Sequence, residues 1–163
     1  MADGASSGSR ELLRHTLSTL AYRGGKAIRD VPERIAHLRV GEASRTPIEI
    51  LAHVNDLLDW ALALCRGEHV WQNSAPTDWE GESVRFHAAL AALDSYLAGA
   101  EPLGFPAGRI FQGPVADALA HVGQINYVRR LGGAPVRGEN YFRAEIVAGR
   151  VGPEQALPRR EFD

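Results

Sequence analysis

The chain has 163 residues, 45% of them hydrophobic and 23% charged, with a formal net charge of -2. These proportions describe an ordinary globular protein with one core, and exclude a disordered chain. There is neither a basic excess nor a Lys/Arg run to recruit nucleic acid or an anionic membrane, and no window approaches the roughly 18 apolar residues of a membrane span.

The opening MADGASSGSR lacks the apolar stretch of a signal peptide, and Cys65 is the only cysteine. No disulfide framework or CxxC pair can form, so the expectation is a cytoplasmic protein with Cys65 as a small core residue.

Residues 2 to 9 are small and polar and read as a frayed end. Leu13, Leu17, Ala21 and Ile28 then share one face and predict a helix from about 9 to 30. Gly24-Gly25 inside it costs about 1 kcal/mol per residue against alanine, which makes sense where a neighbour approaches closely. Pro32 ends this element, and 33 to 45 form a connection with a short helical turn at 33 to 38. Thr46, Pro47 and Glu49 supply the cap, the first-turn proline and the returning acid of a capping box. From there Ile50, His53, Val54, Leu57, Ala61 and Leu64 recur at three and four residues, which turns His53 inward, and Gly67 supplies a stop.

Residues 68 to 78 are rich in turn formers and predict a loop across one end, with Trp71 and Trp79 packing as lids. Asp78 caps a third helix over 79–98, whose stripe is Phe86, Leu90, Leu93 and Leu97. After a second turn-rich stretch, Pro114 stands at the first position of a fourth helix that continues through Val115, Ala118, His121, Val122, Ile125 and Val128 to Gly132-Gly133. A short helix near 139 to 147 is expected before a proline-marked tail. The pattern predicts an all-α fold, an antiparallel four-helix bundle with a short extra C-terminal helix. It reads as one domain over 1–163, with its core at about 9–132 and an extension over 133–163.

Asp117 and His121 are four residues apart, so their side chains lie one turn apart on one face, within about 6 Å at Cβ. Gln124 and the apolar Val128 extend that row, which places it toward the interior. An aspartate and a histidine buried there cost several kcal/mol without partners, whereas a divalent cation held by His53, Asp117 and His121 satisfies all three. Spacing by itself leaves a second reading open, because such pairs also arise by chance and an inward histidine is often a hydrogen-bonded core residue.

The string Asp117-Ala118-Leu119-Ala120-His121-Val122-Gly123-Gln124-Ile125, together with Thr46-Pro47 leading to His53, resembles the DinB/YfiT-like superfamily of bacterial four-helix-bundle metalloproteins over about residues 9 to 132. His53 and the His121-Val122-Gly123-Gln124 run match its ligand histidines and H-x-G-Q string. Asp117 stands where the family has a further histidine. The resemblance implies an up-down-down-up bundle, a homodimer and, in some members, S-transfer or isomerisation with a low-molecular-weight thiol.

Two histidines and one carboxylate leave coordination positions open, as catalytic sites do, and accommodate zinc, nickel, iron(II) or manganese, with zinc favoured. Two functions follow. One is a metal-dependent transferase or hydrolase acting on a small molecule, in which the cation activates a thiol or water. The other is a non-catalytic metal-binding or stress-response bundle. Gln124 either orients a ligand from behind the metal shell or hydrogen-bonds within the bundle. His87 is read as half-exposed, His15, His37 and His69 as surface or boundary residues, Asp56 as a solvated flank, and Arg129 as a complement to its own helix dipole.

Overall fold

The computed structural model describes residues 2–162, and the chain is mostly helical. In order come α1 (Ala2–Ile28), a short α2 (Glu33–Ala36), α3 (Pro47–Cys65), α4 (Trp79–Ala98), a short α5 (Ala107–Ile110) and α6 (Ala116–Leu131). Beyond α6 lie β1 (Gly138–Glu139), a 3-10 turn (Tyr141–Arg143) and β2 (Glu161–Phe162). Among the described residues, no helix is long and apolar enough to cross a membrane.

Local chemistry sets most helix ends. Thr46 and Glu49 close the expected capping box at the start of α3. Its far end is a Schellman motif: Gly67 takes φ +86°, its N–H meets the Leu64 carbonyl at 3.1 Å, and the Glu68 N–H meets that of Ala63 at 2.9 Å. Asp78 accepts from the Gly81 N–H at 2.7 Å and starts α4. One boundary departs from expectation: the first helix reaches back to Ala2. The short α5 precedes the expected start at Pro114, but the backbone breaks at Gly113 between the two helices, so Pro114 opens the stretch that runs into α6. A residue preceding proline is pushed out of the α region, and Gly113 (φ -86°, ψ -105°) takes that non-helical conformation between α5 and the helix that follows.

The long helices meet on their apolar faces. α3 packs against α4 and α6, and α1 packs against the same two. Leu17, Leu20, Val54, Leu58, Phe86, Leu90, Leu93, Ile110 and Ile125 are fully enclosed between them. Gly24 makes the α1/α4 approach possible, because a Cβ there would lie 2.5 Å from Phe86 Cζ.

Side chains at the helix ends fix relative directions. Arg10 on α1 donates to the Leu97 and Gly99 carbonyls at the end of α4, at 3.4 and 3.3 Å. At the other end, Trp79 Nε1 donates to the Ile28 carbonyl at 3.0 Å, so α1 and α4 are antiparallel and Trp79 is a helix-end partner, not a lid. Arg129 is buried. It donates to the Ala27 and Arg29 carbonyls at 2.7 and 2.8 Å, satisfying the orphan carbonyls of α1 rather than serving the dipole of its own helix.

The expected helix near 139 to 147 does not form. Gly138 and Glu139 pair antiparallel with Phe162 and Glu161, and the Asn140 side chain accepts from the Phe142 N–H at 3.2 Å. Both arrangements take backbone groups that a helix would need. The buried Glu139 carboxylate accepts from Tyr22 Oη at 2.7 Å and Lys26 Nζ at 3.0 Å, which straps the C-terminal segment to α1.

Candidate metal centre

His53 lies two turns into α3, directed at α6 by the same register that buries Ile50, Val54 and Leu57. Across the α3/α6 contact stand Asp117 and His121. One donor atom from each of the three lies within 4.8 Å of the others. His53 Nε2 is 3.9 Å from Asp117 Oδ2, His121 Nδ1 is 3.2 Å from Asp117 Oδ1, and the two imidazole centroids are 4.7 Å apart. The expected trio is therefore brought together in space, one ligand from α3 and two from α6. The histidine side chains are recessed, at 14% and 12% exposure, whereas the carboxylate stands at the mouth at 48%.

The residues fit a divalent cation. Four-coordinate zinc with nitrogen and oxygen donors needs ligand atoms about 3.3 Å apart, and the three residues each bring one donor atom within 4.8 Å of the others. His121 Nδ1 is 2.9 Å from the Asp117 main-chain carbonyl. A carbonyl only accepts, so Nδ1 carries the proton and Nε2 keeps the lone pair that a metal requires. His53 Nδ1 is a buried ring nitrogen with no hydrogen-bond partner. Burial, followed by the Arg45 and His121 charges, lowers the His53 pKa and keeps the ring in the neutral form that ligates. The donor set does not choose among zinc, nickel, iron(II) and manganese.

The loop after α3 runs back along that helix to reach α4, passing the site. Trp71 packs edge-on against His53 at 5.6 Å and against Trp60 at 5.7 Å, while His69 stacks on Trp60. Trp71 thus covers one side of the His53 ring, as a lid would. Asp56 is not a solvated flank. It is buried, accepts from Arg85 Nη2 at 2.6 Å and from the Ser74 N–H at 2.8 Å, and so ties the loop to α3 and α4. Arg85 also meets Asp59 at 2.7 Å, and Asn55 donates to the Glu82 carboxylate at 2.9 Å, completing a polar brace beneath the site.

Gln124, expected to face inward, is exposed and has no hydrogen bond to the three candidate ligands. The ring of α6 positions turned inward is Ala118, Val122, Ile125 and Val128, and Gln124 falls beside it. His87 borders a separate cavity with Ile28 and Pro153, its Nδ1 3.2 Å from the Val151 carbonyl. His15, His37 and His69 are exposed. Of two residues beside the site, Asp56 was placed near the His53 face by its i+3 spacing but expected in solvent, and Arg45 escaped the sequence reading. Arg45 had no usable signal, since only the fold brings it to bear on His53. Comparison with protein-family models, curated proteins and solved structures gives no match.

Proposed function

We propose that the chain is a DinB-like, up-down-down-up four-helix-bundle metalloprotein of the cytoplasm, which holds a divalent cation, zinc by preference, at His53, Asp117 and His121 and acts on a small molecule as a thiol-dependent S-transferase or a hydrolase. The observation that carries this reading is the convergence of three donor atoms within 4.8 Å, from two helices, at a site open to solvent through Asp117. The bundle order is supported by the helix-end contacts: α1 and α6 finish together through Arg129, while α1 and α4 run opposite ways through Arg10 and Trp79.

A cation bound there would act as a Lewis acid that lowers the pKa of a coordinated thiol or water. The chain's own part is to orient the two rings and to keep His53 neutral, His121 being held by the Asp117 carbonyl and His53 being buried beside Trp71. Its own thiol is poorly placed to react. Cys65 is buried and its pKa is pushed up to about 11, chiefly by desolvation, so a reacting thiol comes from outside. A purely structural metal is disfavoured because the apolar core closes without the three ligands. A homodimer belongs to the same proposal, with the exposed Leu12 and Phe111, which line one shallow cavity, as apolar surface for a second copy to cover.

The test is metal content by elemental mass spectrometry on untagged protein purified without chelators, beside His53→Ala, Asp117→Ala and His121→Ala. Near-stoichiometric metal in the parent and its loss in all three variants is the expected result, followed by a screen for thiol transfer. A parent protein that carries no metal and takes up none when offered zinc, nickel or iron(II) would end the metalloenzyme reading.

A further inference from the structure

Beside His53 a cleft of about 350 Å³ opens between the segment that leads into α3 and residues 73–76 of the crossing loop. It is at the small end of ligand pockets. Five charged side chains besides His53 line it, and three of them are committed elsewhere. Arg39 forks onto Glu49 at 3.1 and 3.0 Å, and Asp56 is held by Arg85 and Ser74. Glu42 and Arg45 have no hydrogen bond or ion pair among the described residues. Of these two, Arg45 is the cation, and it lines the same cleft as His53.

An uncommitted guanidinium in a small polar cleft that ends on a metal-ligating ring is suited to a planar, singly charged anion, which it meets with two parallel N–H···O bonds. Glu42, Glu49 and Asp56 line the same space and disfavour a doubly charged group such as phosphate. Resting on the metal-site reading, we infer that this cleft seats the substrate and that Arg45 receives its carboxylate, so that the substrates are small carboxylic acids whose reacting end lies at His53, Asp117 and His121.

The test uses the full chain loaded with zinc and two probes titrated by calorimetry, 3-mercaptopropionate and 2-mercaptoethanol. Each offers a thiolate to an open coordination position, releasing its proton to the buffer, and only the first carries a carboxylate. The expected preference for 3-mercaptopropionate is about tenfold. Arg45→Gln brings that ratio to about one with zinc content unchanged, and Arg45→Lys retains part of it. Equal affinities in the parent, or a preference that survives Arg45→Gln, would overturn the carboxylate subsite and leave the metal site standing. A chain that takes up no zinc removes the metal reading, and this one with it, at the loading step before either probe is added.

Discussion

His121 is held by the residue one turn before it: its Nδ1 lies 2.9 Å from the main-chain carbonyl of Asp117 and 3.2 Å from the Asp117 carboxylate. The main-chain bond survives any change of the 117 side chain, so substitutions there test the carboxylate as a ligand without releasing the imidazole. Asp117→Asn keeps the shape and removes the charge, and metal affinity should fall at least about tenfold in competition with a chelating dye. Asp117→His, which restores three histidines, should retain tight binding. An Asn variant that binds as tightly as the parent would show that the carboxylate is not a ligand.

Cys65 is enclosed between the helices, and burial pushes its thiol up to about 11. At pH 8 about one thiol in a thousand is ionised, and that fraction is shielded from reagent. An aromatic disulfide reagent should leave the native chain unmodified over minutes and titrate one thiol per chain in urea. Rapid labelling of the folded protein would contradict both the burial and the argument for an external thiol.

The two adjacent glycines of α1 should respond oppositely to alanine. At Gly24 the new Cβ would lie 2.5 Å from Phe86 Cζ, whereas at Gly25 the nearest atom, His87 Cε1, is at an ordinary 3.7 Å. Overpacking costs about 1–3 kcal/mol and outweighs the helix-propensity gain of about 1 kcal/mol at Gly24. Urea denaturation should therefore find Gly24→Ala less stable than the parent and Gly25→Ala equal or more stable. Equal midpoints for the two variants would refute the close α1/α4 approach.

His87 supplies a pH dependence. Burial lowers its pKa, outweighing the opposing bond to the Val151 carbonyl. The unfolded chain therefore binds more protons than the folded one as pH falls below the ordinary histidine value of about 6.5. Stability is complete above that pH and declines through the window down to the depressed folded value. His53 shifts in the same direction for the same leading cause. His87→Gln should flatten part of the slope of unfolding free energy below about pH 6.5 and leave the part due to His53. Parallel slopes in the two proteins would remove His87 from the account.

Where structure follows from a few contiguous residues, it was legible beforehand. The start of α3 is a reciprocal bond pattern within Thr46 to Glu49, and the start of α4 is a single bond from Asp78 to Gly81. Apolar periodicity was enough to turn His53 inward, and helical spacing to put Asp117 and His121 on one face. Pro114 was legible as the opening of the last long helix, while the short α5 on the far side of the Gly113 break was not. The tail shows the limit of local rules, since Glu139 is buried by Tyr22 and Lys26, more than a hundred residues away in the chain.

The sequence by itself determined a mostly helical chain, the starts of α3 and α4 and the three candidate donor residues, because each follows from backbone bonding or side-chain spacing within a turn or two. Only the tertiary structure decided that His53 lies within reach of Asp117 and His121, that Gln124 falls outside the inward ring, that Asp56 is braced by Arg85, and that Arg45 overlooks the cleft. Those relationships depend on the rotation and depth at which α3 settles against α4 and α6. That setting comes from many non-local apolar contacts, none of which leaves a mark at any one position in the chain.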